Sequence, residues 1–118
     1  MSNSFLKNPE NEIEVLMGDI VRVLGLLLGR LWLSELYSEV SAFRASVGRP
    51  QDFSEKDLKL AIKKLEDLKI VSLEEGFRAT FGAPEQDFLV GLNVAVPIIE
   101  FLSKDDDIKR YRMLLKGS

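Results

Sequence analysis

The chain has neither cysteine nor histidine. Without cysteine there is no disulfide framework and no thiolate metal site. Without histidine, the commonest general base and the commonest zinc ligand are both missing. Enzymatic chemistry would fall to carboxylates, lysine, tyrosine or serine. No nucleophile–base pairing and no glycine-rich phosphate loop stands in the sequence. The expectation is a noncatalytic protein with no metal and no cofactor. A basic excess is also missing: 16 lysines and arginines face 19 aspartates and glutamates, a net charge of −3. The whole-chain positive field typical of nonspecific nucleic-acid binding is therefore absent, although a local basic face is still allowed. Long apolar runs are lacking too. The most apolar stretch, Ile20 to Leu33, is broken by Arg22, Arg30 and two glycines, and is too short to span a bilayer. The N-terminus has no basic-plus-apolar signal pattern. A cytoplasmic protein with no membrane partner is expected.

What is present suits one domain. At 118 residues, 46% hydrophobic and 30% charged, the chain can bury a single core unaided. Three regions follow from patterning: an N-terminal helix at 8–29, a helix–helix–hairpin unit at 31–92, and a helical region at 93–116. Residues Met1 to Lys7 read as loose. Asn8 before Pro9 reads as an N-cap followed by proline at the first helical position, where its missing N–H is not needed. The helix then runs to about Leu28 and stops at Gly29. Its apolar residues Ile13, Met17, Ile20, Leu24 and Leu27 recur at spacings of 4, 3, 4 and 3. Leu16, Val23 and Leu28 widen that face beyond the single stripe of a surface helix. Either this helix is central to the core or part of it meets another subunit. Gly25 and Gly29 read as close helix packing and a C-terminal cap.

Leu31 to Leu33 reads as a short edge strand. Ser34 opens a second helix with Leu36, Tyr37, Val40 and Phe43 on one face, ended near Gly48. Ser54 caps a third helix, with Asp57 as an acidic capping-box partner. Leu58, Ala61, Ile62, Leu65 and Leu68 form its apolar side. The opposite side carries Lys56, Leu60, Lys63 and Asp67, with Lys59 beside them. Ile70–Leu73 and Phe77–Phe81 read as strands paired around Glu74-Glu75-Gly76, with Phe77 and Phe81 covering the core and Trp32 packed under the hairpin. Asp87–Leu92 reads as a third strand. Asn93 reads as the cap of the last helical region. Ser103 with Asp105, Asp106 and Asp107 reads as a fresh start within it, giving two helices or one bent one. The three aspartates suit a hard cation less well than a helix N-terminus.

The order helix, helix, hairpin over 33–92, with Ala-Ile-Lys-Lys-Leu-Glu-Asp-Leu-Lys-Ile-Val leading into the hairpin, resembles the winged-helix superfamily, particularly small archaeal and bacterial transcription regulators. The resemblance covers about half the chain. It differs at Lys69-Ile70, where that family commonly has glycine-leucine. It implies a mainly α fold with a small antiparallel β-wing, a winged helix-turn-helix with additional N- and C-terminal helices. It further implies that the helix from Ser54 to Lys69 enters the major groove of duplex DNA while the wing rests on the backbone, and that the flanking helices form a homodimer.

Charge is distributed to match. Between Arg44 and Lys64 six basic residues face three acidic ones. The candidate DNA contacts are Lys56, Lys59, Lys63, Arg49 and, from the wing, Arg78, acting in electrostatic positioning more than base readout. Ile13, Met17, Ile20, Leu24 and Leu27 are the candidate dimer interface. Against DNA stand Glu74 and Glu75, and a third helix with no Asn, Gln or Arg to read bases. The acidic hairpin and total charge favour a second role, a protein-interaction module within a larger assembly.

Overall fold

A computed structural model describes residues 4–116, with the side chain of residue 116 outside the description. The long N-terminal helix begins later than its sequence suggests. Helix α2 is Glu12–Leu26, and its cap is Asn11, whose Oδ1 accepts the Glu14 N–H at 2.9 Å. Asn8 instead closes a preceding single-turn helix α1, Ser4–Lys7, by donating its N–H to the Ser4 carbonyl. The expected loose segment is thus partly docked: Phe5 and Leu6 are buried, while residues 1–3 lie outside the described residues. At the far end Gly29 takes φ +82° and donates its N–H to Leu24 O at 2.7 Å. Leu28, just past the C-cap Leu27, is left-handed as well at φ +63°, so the stop spans two residues, of which only the glycine takes that conformation without strain.

Strand β1, Arg30–Trp32, leads directly into α3, Leu33–Ser46. Ser34 does not cap α3; it sits inside the first turn, and its Oγ donates to Asp87 at 2.7 Å. Helix α4, Glu55–Asp67, has the expected reciprocal capping box: Asp57 N–H to Ser54 Oγ at 3.0 Å, and Ser54 N–H to Asp57 Oδ2 at 3.2 Å. Leu58, Ala61, Ile62 and Leu65 are buried, one face at helical spacing.

Strand β2 runs unbroken over Val71–Arg78 and pairs antiparallel with β3, Glu85–Leu92. The turn therefore lies at 79–84. It does not lie at Glu74-Glu75-Gly76, and Phe77–Phe81 is not the returning strand. The three-stranded antiparallel sheet has the order β1-β3-β2. Trp32 explains the position of Gly76: a β-carbon there would lie 3.1 Å from Trp32 Cη2. The indole reaches across β3 and needs a strand residue without a side chain, so glycine here permits close packing and makes no turn.

Lys69, between α4 and β2, takes φ +63°, the left-handed conformation that glycine adopts more readily than a residue with a side chain. Asn93 holds that bend. Its Nδ2 donates to Lys69 O at 2.7 Å and its N–H to Ile70 O at 2.8 Å. Asn93 is therefore not the cap of the next helix. Helix α5 is Val96–Lys104, with Ala95 at the N-cap and Pro97 in its first turn. Helix α6 is separate, Asp106–Lys116, and Asp105 Oδ2 accepts the Ile108 N–H at 3.0 Å.

The core joins α2, α3, α4 and the inner sheet face through Leu16, Ile20, Leu24, Leu36, Phe43, Leu65, Val71 and Val90. Met17, Ile20 and Leu24 are fully inside it, while Ile13 and Leu27 pack against it. Three of the five expected dimer contacts are therefore inaccessible to a second chain. The broad apolar face of α2 reflects its central place in the monomer. Gly25 receives Leu102 of α5: a β-carbon there would meet Leu102 Cδ1 at 2.7 Å. The chain is mainly helical with a small antiparallel sheet. Among the described residues, no helix is long and apolar enough to cross a membrane.

Candidate functional site

The exposed side of α4 follows from its buried side. With Leu58, Ala61, Ile62 and Leu65 turned inward, Lys56, Lys59, Leu60 and Lys63 face solvent. Among the described residues Lys56 and Lys59 have no ion-pair partner. Lys63 Nζ lies 3.4 Å from both Glu66 Oε1 and Asp67 Oδ1. Asp67 first, then Glu66, hold its ammonium above the ordinary lysine range. Helix α4 contains four lysines and four carboxylates. Asp57 is engaged in the cap, and Glu66 and Asp67 are at the far end, so the lysines dominate the middle.

The two candidate arginines are placed differently. Arg78 on β2 is bound within the hairpin: Nε donates to Asp87 at 3.2 Å and Nη2 to Glu85 at 3.1 Å. Burial alone would raise the Asp87 carboxyl, but the Ser34 hydroxyl, the Phe88 N–H and Arg78 outweigh it and hold Asp87 below its ordinary value. Arg49, in the connection from α3 to α4, is held by two carboxylates. Nη2 lies 2.8 Å from Asp19 Oδ1 and 2.7 Å from Asp107 Oδ2, and Nε lies 2.9 Å from Asp19 Oδ2. Burial acts to lower the Arg49 pKa; Asp107 and Asp19 overcome it and raise it.

Asp19 is the hub of this network and is 0% exposed. Besides Arg49 it accepts Arg44 Nε at 2.9 Å and Arg22 Nη1 at 2.9 Å. Arg22 also grips Asp105 with two parallel bonds, Nε to Oδ2 at 2.9 Å and Nη2 to Oδ1 at 3.0 Å, and lies 5.1 Å from the Phe101 ring centroid. Arg44, 3% exposed, stacks 5.1 Å over Phe53 and donates Nη1 to Pro50 O, while its Nη2 is buried without a partner. Asp107 is raised by burial, but Arg49 foremost, then Arg22 and Arg110, hold it below its ordinary value. The network ties α2, α3, the α3–α4 connection and the start of α6 together.

One sequence expectation changes here. Arg44 and Arg49 are matched by Asp19 and Asp107, so the local positive excess reduces to the α4 lysines. Asp105 and Asp107 serve arginines, and among the described residues no acidic cluster is arranged to hold a metal ion. Asp19 was legible in principle. It falls between Leu16 and Val23 at spacings of 3 and 4 on the apolar side of α2, where an aspartate must find buried partners.

Phe77 and Phe81 do not cover the core; both are exposed, and Phe81 sits in the turn. Val94, Val96, Ile99, Met113, Leu114 and Leu115 of the C-terminal region are exposed as well. No protein-family model matches the chain, and no curated protein matches it.

Proposed function

We propose that this is a noncatalytic winged-helix protein that binds duplex DNA through α4, as a transcription regulator would. The observation that supports this reading most directly is the solvent-facing lysine row, Lys56, Lys59 and Lys63, on a rigidly capped helix followed at once by a hairpin. Lysines on such a face neutralise phosphates and release counterions. They fix position on the duplex without reading sequence. Arg49 then supports the site by bracing the connection that enters α4, with no direct DNA contact. Arg78 orders the hairpin in the same way.

Fluorescence anisotropy of labelled random duplex at about 50 and 200 mM salt tests this reading. Binding is expected at the lower salt and should weaken steeply at the higher. Lys56→Glu with Lys63→Glu should abolish it and leave the thermal midpoint nearly unchanged. Unaltered binding by that variant removes α4 from the interface.

A second reading is favoured by the intramolecular engagement of Arg49 and Arg78, the exposed Glu74 and Glu75, and the apolar residues left in solvent on α5, α6 and the hairpin. In this reading the fold is a protein-interaction module. Absence of DNA binding at the lower salt would select it.

A further inference from the structure

The sheet order β1-β3-β2 leaves each outer strand with one side unpaired. On β1 that edge is three residues long and passes directly into α3. On β2 it is eight, Val71–Arg78, with no proline and no break in its register. Proteins ordinarily shorten, bulge or cover such an edge. Two bonds fix which backbone groups it presents. Leu92 donates its N–H to Gly29 O and Asn93 donates its own to Ile70 O, both at 2.8 Å. Successive residues of the central strand β3 therefore bond to opposite neighbours. Continued along the register, Gly91, Leu89, Asp87 and Glu85 bond to Ser72, Glu74, Gly76 and Arg78. Leu73, Glu75 and Phe77 point their N–H and C=O groups away from β3. Among the described residues, nothing hydrogen-bonds to them there.

The side chains along this edge select the strand it can take. Leu73, Glu75 and Phe77 lie on one sheet face with Phe88, and Glu74 and Gly76 lie on the other. Phe77 is 73% and Phe88 38% exposed, a diagonal aromatic pair toward the hairpin end of the first face. Glu74 and Glu75 are exposed, one on each face, and among the described residues neither carboxylate has a partner. The hairpin's single cation, Arg78, is already bound to Glu85 and Asp87. A second copy suits the edge poorly. Across a two-fold axis β2 pairs with β2 only with like faces together, and the two longest overlaps set Glu74 opposite Glu74 or Glu75 opposite Glu75. Like charges placed directly opposite are destabilising.

We propose that the outer edge of β2 binds an extended basic peptide of another protein, added to the three-stranded sheet as a further antiparallel strand. Its backbone bonds to Leu73, Glu75 and Phe77. Two consecutive basic residues stand opposite Glu75 and Glu74, one on each face. Apolar residues stand opposite Phe77 and Leu73. The peptide therefore reads apolar, any, basic, basic, apolar. No α4 lysine takes part, so the proposal does not depend on the DNA reading.

Fluorescence anisotropy of the labelled peptide Thr-Val-Thr-Lys-Lys-Val-Thr against the full chain, at about 50 mM salt, tests this. A dissociation constant below about 200 μM is expected. Glu74→Lys with Glu75→Lys should weaken binding at least about tenfold and instead admit the peptide with glutamates in place of its lysines. Both side chains are exposed, so the thermal midpoint should stay unchanged. A methyl group on the backbone nitrogen of the peptide's first lysine, which faces β2, should also weaken binding at least about tenfold. The same group on the second lysine, whose nitrogen faces away, should weaken it less than about twofold. The two methylated peptides carry equal charge, so they separate strand addition from charge attraction alone. No binding at about 1 mM overturns the proposal. So does undiminished binding by the Glu74→Lys, Glu75→Lys variant, or equal binding of the two methylated peptides. Sedimentation of the chain alone should give a monomer; a dimer that the peptide dissociates would give the edge to a second copy and overturn the proposal as well. Peptide and duplex are titrated separately, so either reading can fail without the other.

Discussion

Replacing Asp19 with alanine removes the acceptor for three guanidinium groups at once. Arg22 and Arg49 keep Asp105 and Asp107 as partners and have some access to water. Arg44 does not: its side chain is 3% exposed, its Nη2 already lacks a partner, and only the Nη1 bond to Pro50 O would remain. A buried charge left unmatched in this way costs about 3–5 kcal/mol. Against a typical total stability of about 5–15 kcal/mol, that is a large fraction. With a urea slope of about 2 kcal/mol per molar, the midpoint should fall by about 2 M. Urea unfolding followed by circular dichroism reads both midpoint and slope. Asp19→Asn should lose nearly as much, because the amide turns a donor toward the guanidinium groups. Asp19→Leu combined with Arg44→Met should be milder than Asp19→Ala alone, since an apolar pair leaves no charge behind. A loss below about 1 kcal/mol for Asp19→Ala would refute the argument, because it would equate the buried network with surface ion pairs.

Other perturbations follow from local geometry. Lys69→Gly should raise stability by about 0.5–1 kcal/mol, because a left-handed lysine costs about 1–2 kcal/mol and glycine's greater unfolded-state freedom returns part of that; a lower thermal midpoint would contradict it. Gly29→Ala imposes the same strain at φ +82° and should cost about 1–2 kcal/mol by urea unfolding. Ser54→Ala removes the α4 cap and should cost about 1 kcal/mol, read as the same midpoint shift. Acid should also destabilise the fold. The pKa values of Asp87 and Asp107 are both lowered on folding, so their contribution is complete above the unfolded carboxylate value of 3.8. It is lost as pH falls below that value and through the folded ones. Urea midpoints should hardly change from these groups between about pH 5 and 7 and should fall below about pH 4. Asp107→Asn should flatten part of the decline.

Some elements could be read from the chain alone because their causes are local. Ser54 and Asp57 satisfy each other's backbone three residues apart, and the inward face of α4 repeats at helical spacing. Gly29 ends α2 with bonds reaching back only five residues. The separate start of α6 follows from Asp105, three residues before the N–H it caps. Interactions of this kind close small loops, and the residue types that make them stand side by side in the sequence.

The misreadings share the opposite cause. Glu74-Glu75-Gly76 has the local composition of a turn, but pairing with β3 and the Trp32 ring over Gly76 keep it extended. Asn8 and Asn93 are both plausible caps. Asn11 and Ala95 hold those positions because α1 engages the first and the Lys69 bend, 24 residues away, engages the second. The apolar excess of α2 is identical for a core helix and a dimer helix; burial by α3, α4 and the sheet makes it a core helix. Arg49 and Arg78 look free because their carboxylates are distant or across a turn, at separations of 30, 58, 9 and 7 residues. Composition and spacing determined which residues could pair or be buried. Only the tertiary structure decided which did, because a charge or an apolar side chain takes whichever partner the folded chain brings within reach.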